Sequence, residues 1–142
     1  MTLLSLALSF ASLAGASSWG PYDADAFESA QQANHVIVLQ FLDDGCRRCD
    51  DQEKILSKRF WSSSRKDWAG FQINISRSAA LARQWRVTAP STLVLLRGNR
   101  EVGRSTGVII ESELDAFLRK ADLPEPHGKA PPRPKKRWPP RP

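Results

Sequence analysis

The chain has 142 residues, one domain's length or one domain with extensions. Hydrophobic residues make up 41% and charged residues 25%, which excludes wholesale disorder, collagen-like repeats and a multi-span membrane protein, and two cysteines are too few for a disulfide-stapled miniprotein or a four-cysteine zinc site. The net charge of +6 is segregated: residues 123–142 carry Lys129, Arg133, Lys135, Lys136, Arg137 and Arg141 against Glu125, together with eight of the ten prolines, and leave a near-neutral body.

Residues 1–16 read as a signal peptide. Residues 2–16 hold no charged side chain, residues 3–13 are apolar apart from serines, and Ala14-Gly15-Ala16 supplies small residues before Ser17. The run is shorter than the ~20 residues that span a bilayer. No Lys or Arg precedes it, so an uncleaved anchor is the competing reading; no cysteine marks a lipoprotein anchor. Export would place the chain in the periplasm of a Gram-negative cell, and otherwise outside the cell.

Residues 17–122 then form the body. Phe27 and Ala30 share a helical face within residues 24–34. Residues 35–42 are nearly continuous in apolar, often β-branched residues, the pattern of a central strand buried on both faces. Asp43-Asp44-Gly45 breaks the run, and a helix is expected from Cys46 to about Phe60, with Ile55 and Leu56 facing the core. Residues 71–75 alternate as a second strand. Residues 78–85 read as a short helix capped by Ser76 or Ser78. Residues 92–97 and 101–105 read as two strands joined by a turn at Gly98-Asn99-Arg100, and residues 110–121 as a last helix with Leu114, Phe117 and Leu118 inward. Trp61, Trp68 and Trp85 are expected to pack in the core or at its rim. Four strands interleaved with helices predict a three-layer α/β domain.

The motif Cys46-Arg47-Arg48-Cys49 gains meaning from its place, directly after a buried strand and at a helix start. Three residues apart on a helix, the cysteines share a face and can meet the spacing of a disulfide. Cys46 faces unpaired backbone N–H groups, which stabilise a thiolate and can lower a cysteine pKa from ~8.5 into the ~3.5–7.5 range. Cys46 is therefore the candidate nucleophile, and Cys49 the thiol that resolves a mixed disulfide. An inert structural bridge is the competing reading. A metal site is not expected, because His35 and His127 are the remaining nitrogen ligands and lie in a strand and in the tail.

These residues resemble the thioredoxin family over residues 24–122. The resemblance rests on the strand at 36–42, the CxxC, the strand at 73–75, and Trp85-Arg86-Val87-Thr88-Ala89-Pro90-Ser91-Thr92-Leu93, which looks like the segment that ends in a cis-proline before the next strand. It implies a thioredoxin fold, a central mixed four-stranded sheet flanked by helices on both faces. It also implies that the Ala89–Pro90 backbone lies against the sulfurs, where it can pair with an extended substrate strand. Gly45 stands where the family usually carries Trp and removes an apolar docking surface. Gln40 stands where the family carries a buried acid, and an amide cannot take a proton from Cys49 as a carboxylate could; Asp43, Asp44 or water are the substitutes. Arg47 and Arg48 favour the Cys46 thiolate, against the bracketing Asp43, Asp44, Asp50 and Asp51, so a moderately oxidising couple is expected.

The implied activity is thiol–disulfide exchange with protein substrates, with no cofactor beyond the Cys46/Cys49 couple and a membrane partner that resets it. The basic, proline-rich residues 123–142 read as a disordered tail able to contact an anionic surface; nucleic acid is not expected as a partner of an exported chain. The rival reading is a non-enzymatic binding module with a structural disulfide and a working tail.

Overall fold

The computed structural model describes residues 17–124, so the expected signal peptide (1–16) and tail residues 125–142 lie outside the described residues. The chain runs β1 (Ser18–Pro21), α1 (Ala24–Gln32), β2 (Val36–Leu42), α2 (Arg47–Ser62), β3 (Trp68–Asn74), α3 (Ala79–Gln84), β4 (Thr92–Arg97), β5 (Arg100–Thr106), α4 (Glu111–Arg119) and a closing 3-10 turn (Lys120–Asp122). The strands form one mixed sheet in the order β1-β3-β2-β4-β5. β3 runs parallel to both β1 and β2, while β4 is antiparallel to β2 and β5 is antiparallel to β4.

The expectation of four strands is corrected to five. β1 has four residues, one a glycine and one a proline, so neither periodicity nor propensity marks it. What holds it is packing. The Trp19 indole lies 5.0 Å from the Phe60 ring, and a Cβ on Gly70 of β3 would overlap that indole. Ser17 Oγ donates to the Phe60 carbonyl just ahead of the strand.

Side-chain alternation in β2 divides the interior into two layers. Ile37, Leu39 and Phe41 join Phe27 and Ala30 of α1 and Leu81 and Ala82 of α3 on one face. Val36 and Val38 join Leu56 and Phe60 of α2 and Leu114, Phe117 and Leu118 of α4 on the other. Burying each such Leu or Phe is worth roughly 1.5–3 kcal/mol. Asp23 caps α1 by accepting the Ala26 N–H at 2.7 Å. Ser78 occupies the corresponding position at α3 but its side chain makes no capping bond, and Ser76 Oγ donates to Asp43 instead. Trp68 packs on Phe60 and Trp85 meets Phe27 edge-on, as expected, whereas Trp61 is 69% exposed.

Polar ties close the end of the sheet opposite the cysteines. Asp67, just before β3, accepts Arg65 Nη2 at 2.9 Å and Arg97 Nη1 at 2.9 Å, and Arg65 also pairs with Asp122 at 2.7 Å. Arg59 of α2 pairs with Asp115 of α4 at 2.7 Å. The Arg65 hydrogen bond, helped by Arg97 and opposed by burial, holds the Asp67 carboxyl down at about 2. A carboxylate whose folded-state pKa is depressed stabilises the fold above its unfolded pKa and ceases to as pH falls through the folded value. Asp67→Asn is therefore expected to lower Tm at pH 7 by roughly 5 °C, for about 1 kcal/mol in a domain of this size. Wild type is expected to lose that margin between about pH 4 and pH 2. Thermal melts across pH 2–7 check this: the two proteins converge at the acid end, and a constant gap contradicts the assignment.

Candidate active site

β2 ends at Leu42, and the next residues turn the chain onto α2. Gly45 takes φ +72, in the left-handed region that favours glycine, and a Cβ there would meet nothing within 4 Å. The approach to the motif over Gly45 is thus open. Cys46 is the N-cap of α2 and is bonded to Cys49, with the Cα atoms 5.3 Å apart. Its sulfur accepts the Cys49 N–H at 3.2 Å, a donor it shares with the Cys46 carbonyl at 2.9 Å, so one N–H of the helix start is directed at this atom. Cys46 is half-buried while Cys49 is 3% exposed. The two sulfurs are therefore unequal in access.

Beneath the disulfide the floor is polar and uncharged. Gln40 is fully buried on the α2 side of β2, where its Nε2 donates to the Cys49 carbonyl at 3.0 Å and its Oε1 accepts Gln72 Nε2 at 3.2 Å. The amide braces the helix start and offers Cys49 no proton acceptor of carboxylate strength. Asp43 and Asp44 are turned toward the end of β3. Asp43 accepts Ser76 Oγ at 2.8 Å, and Asp44 accepts Asn74 Nδ2 at 3.1 Å and Arg77 Nη2 at 2.8 Å.

Arg47 and Arg48 are exposed on the first turn of α2 and hold no ion pair among the described residues. Arg48 lies across Gly107, where a Cβ would sit 2.9 Å from its guanidinium. Of the bracketing acids, Asp44 is paired with Arg77 and Asp51 with Lys54. Asp50 sits in the first turn, where the helix dipole favours a negative charge.

Ala89 and Pro90 lie half-buried in a bend that leads into β4. The Ala89 carbonyl accepts Thr92 Oγ1 at 2.7 Å, which occupies one of its two lone pairs. Ser91 follows with φ 65, and its N–H donates to the Phe41 carbonyl of β2 at 2.8 Å. This brings the bend to the end of β2 from which the cysteine motif departs. Two residues not singled out from the sequence, Ser91 and Gln52, meet here. Gln52 of α2, fully buried, donates to the Ser91 carbonyl at 3.1 Å and to the Val108 carbonyl at 2.9 Å. The signal for Gln52 was present, a polar residue in the helical stripe Cys49, Leu56 and Phe60. Among the described residues no group of three or more His, Cys, Asp or Glu is placed to hold a metal ion.

Comparison with known proteins agrees with this geometry. The chain is similar to Thioredoxin H2-2 of Oryza sativa subsp. japonica, with 35% identity over 63% of this chain and 63% of that protein. It is also similar to Thioredoxin H2-1 of the same organism, with 29% identity over 58% and 59%. It spans less than two thirds of the length of these relatives. The crystal structure of Trxlp from Edwardsiella tarda EIB202 superposes with a TM-score of 0.67 and 35% identity, over 71% of this chain and 98% of that one. A mutant thioredoxin from Halobacterium salinarum NRC-1 superposes with a TM-score of 0.66 at 20% identity, over 79% of this chain and 97% of that one, a likeness of fold. No protein-family model matches the chain. A five-stranded mixed sheet with a CxxC disulfide at the start of its second helix, in a chain 35% identical to a structure it covers almost end to end, assigns this protein to the thioredoxin-like family.

Proposed function

We propose that the chain is a protein thiol–disulfide oxidoreductase whose Cys46 sulfur meets the substrate and whose Cys49 closes the cycle. The observation that carries this reading is the asymmetry of the pair: Cys46 is half-buried at the helix N-terminus with a backbone N–H on its sulfur, while Cys49 is buried one turn inside. In the reducing direction the Cys46 thiolate attacks one sulfur of a substrate disulfide, forms a Cys46–substrate disulfide and releases the other sulfur as a thiolate. Cys49 then loses its proton to water, and its thiolate attacks the Cys46 sulfur. The Cys46–Cys49 disulfide forms, the second substrate thiolate leaves, and two electrons have passed to the substrate. The oxidising direction is the reverse.

Protein substrates are favoured over small thiols alone by the Ala89–Pro90 bend, whose Ala89 carbonyl keeps a free lone pair for an extended segment. The open path over Gly45 admits that segment. The apolar run at 3–13 and the small residues before Ser17 support export, to the periplasm in a Gram-negative cell or otherwise to the medium. An exported couple needs a membrane partner to reset it, and the basic residues of the tail suit an anionic surface. Intact-mass analysis of protein recovered from its own compartment is expected to place the N-terminus at Ser17; a retained residue 1 in protein recovered with the membrane selects the uncleaved anchor, and a retained residue 1 in protein recovered from the cytoplasm overturns the export reading.

Cys49→Ser is expected to accumulate covalent partners at Cys46 that dithiothreitol releases, and Cys46→Ser to accumulate none. A Cys49→Ser protein that traps nothing, with a wild-type disulfide that resists buffers poised below about −300 mV, makes the bridge structural. The unpaired Arg47 and Arg48 favour the reduced form, because the thiolate is the charged species beside them. The Cys46/Cys49 potential is therefore expected above the ~−270 mV of thioredoxin, and Arg47→Ala/Arg48→Ala is expected to lower it by roughly 20 mV. Equilibration in defined dithiothreitol buffers with alkylation and mass counting reads both values, and an unchanged potential removes the arginines from redox tuning.

A further inference from the structure

We propose that Gln52 is a positioning residue, whose carboxamide fixes the 89–91 bend and the start of the 107–110 segment against the disulfide helix and so sets where a protein substrate is presented to Cys46. The proposal rests on the exchange chemistry proposed above. Gln52 lies three residues after Cys49 and is wholly buried, on the face of α2 that carries Cys49. Its Nε2 has two hydrogens and donates both, to the Ser91 carbonyl at 3.1 Å and the Val108 carbonyl at 2.9 Å. Both partners are carbonyl oxygens, which decides the way the amide is turned.

The Ser91 carbonyl takes a second bond from the Gly107 N–H at 2.9 Å, while the Ser91 N–H reaches the Phe41 carbonyl at 2.8 Å. One residue therefore ties β2, α2 and the turn after β5 together. Ser91 is itself held in the left-handed region, at φ 65, a conformation that an L side chain keeps when its surroundings fix it. The stripe that Gln52 interrupts is otherwise apolar, so a leucine would pack there. The two hydrogen bonds offset the cost of burying the amide NH2 group, and they point at the bend and the 107–110 segment and not along the helix. Gln52 Oε1 and Ser91 Oγ have no hydrogen-bond partner, so the clamp works through the amide hydrogens alone.

A small thiol reagent reaches the disulfide over Gly45 without touching the bend, whereas a protein segment lies along Ala89 and Pro90. Substitution of Gln52 should therefore separate the two substrates. The test uses full-length Gln52→Leu and Gln52→Glu. It measures the rate at which dithiothreitol reduces the Cys46–Cys49 disulfide, and kcat and KM for insulin disulfides with dithiothreitol as the terminal reductant. Gln52→Leu is expected to raise KM for insulin about tenfold, with kcat and the dithiothreitol rate within about twofold of wild type.

Gln52→Glu is expected to add a titration step to KM that wild type and Gln52→Leu lack. KM stays near wild type on the acid side, where a protonated carboxyl still donates one bond, and rises as the carboxylate forms against two carbonyl oxygens. KM unchanged in both variants at every pH overturns the proposal. So does a dithiothreitol rate that falls in parallel with the insulin rate, or failure of both variants to fold, since each assigns Gln52 a purely structural role. If Gln52→Leu alone fails to fold, the pH profile of Gln52→Glu decides. If wild type exchanges with no protein disulfide, the functional reading fails instead, and the clamp is read by hydrogen exchange at the Gly107 amide. Exchange there is expected to quicken in Gln52→Leu, and unchanged exchange overturns the clamp.

Discussion

Strand β2 is buried on both faces, and that constraint governs what can surround it. Its backbone groups are shared between parallel β3 and antiparallel β4, so neither edge is free. Its side chains must fill two cores at once, with Ile37, Leu39 and Phe41 on one side and Val36 and Val38 on the other. A strand so enclosed can release the chain only at its end, and Asp43, Asp44 and Gly45 turn it there onto α2. The helix then lies back across the Val36 face, which puts Cys46 at the carboxyl end of the central strand. In open α/β sheets that end is where chemistry collects, because helix N-termini and loops converge there.

The polar residues enclosed near the motif are two amides, Gln40 and Gln52, and two hydroxyls, Ser91 and Thr92; none is charged. Gln40 and Gln52 are fully buried, and between them they donate to the carbonyls of Cys49, Ser91 and Val108. A buried amide carries no charge to desolvate, and here the NH2 group of each is hydrogen-bonded, whereas a buried carboxylate adds a desolvation penalty and a pH-dependent charge. The two acids of the turn before the motif sit on the rim and are occupied: Asp43 with Ser76, and Asp44 with Asn74 and Arg77. They tie the turn after β2 to the end of β3. The site is thus held by neutral groups inside and by charged groups only where water reaches them.

Much of this was legible in the sequence because burial leaves a pattern. The apolar run of β2 and the inward spacing of Leu114, Phe117 and Leu118 follow directly from the cores they fill. The boundaries of β4 were legible too, from its apolar run and the turn at Gly98, which takes positive φ in the structure. β1 was not, because its stability lies in a tertiary contact between Trp19, Phe60 and the space left by Gly70, which no local window contains. Cys46 and Cys49 stood out by spacing and context. Gln52 did not, although a glutamine within an apolar helical stripe carries information, because its partners Ser91 and Val108 lie 39 and 56 residues further along the chain. The engagement of Asp43 and Asp44 was hidden for the same reason: bracketing a motif in sequence says nothing of which way a carboxylate turns.

The arrangement has an energetic consequence at the sulfurs. Both sides of the Cys49 backbone are held, its N–H by the Cys46 carbonyl and sulfur and its carbonyl by Gln40. Negative charge that develops on the Cys46 sulfur in the proposed exchange therefore meets a donor already in place, and no reorganisation is needed to provide it. With an uncharged floor, the groups placed to stabilise a Cys46 thiolate in the proposed exchange are this helix N-terminus and, at the surface, Arg47 and Arg48. The first contribution is built into the fold, in a backbone N–H held 3.2 Å from the half-buried Cys46 sulfur. The second is exposed and screened over about 8 Å at physiological ionic strength. Under the proposed exchange, rigid geometry sets the base reactivity of Cys46, and the adjustable part of its electrostatics lies on the exposed first turn of α2.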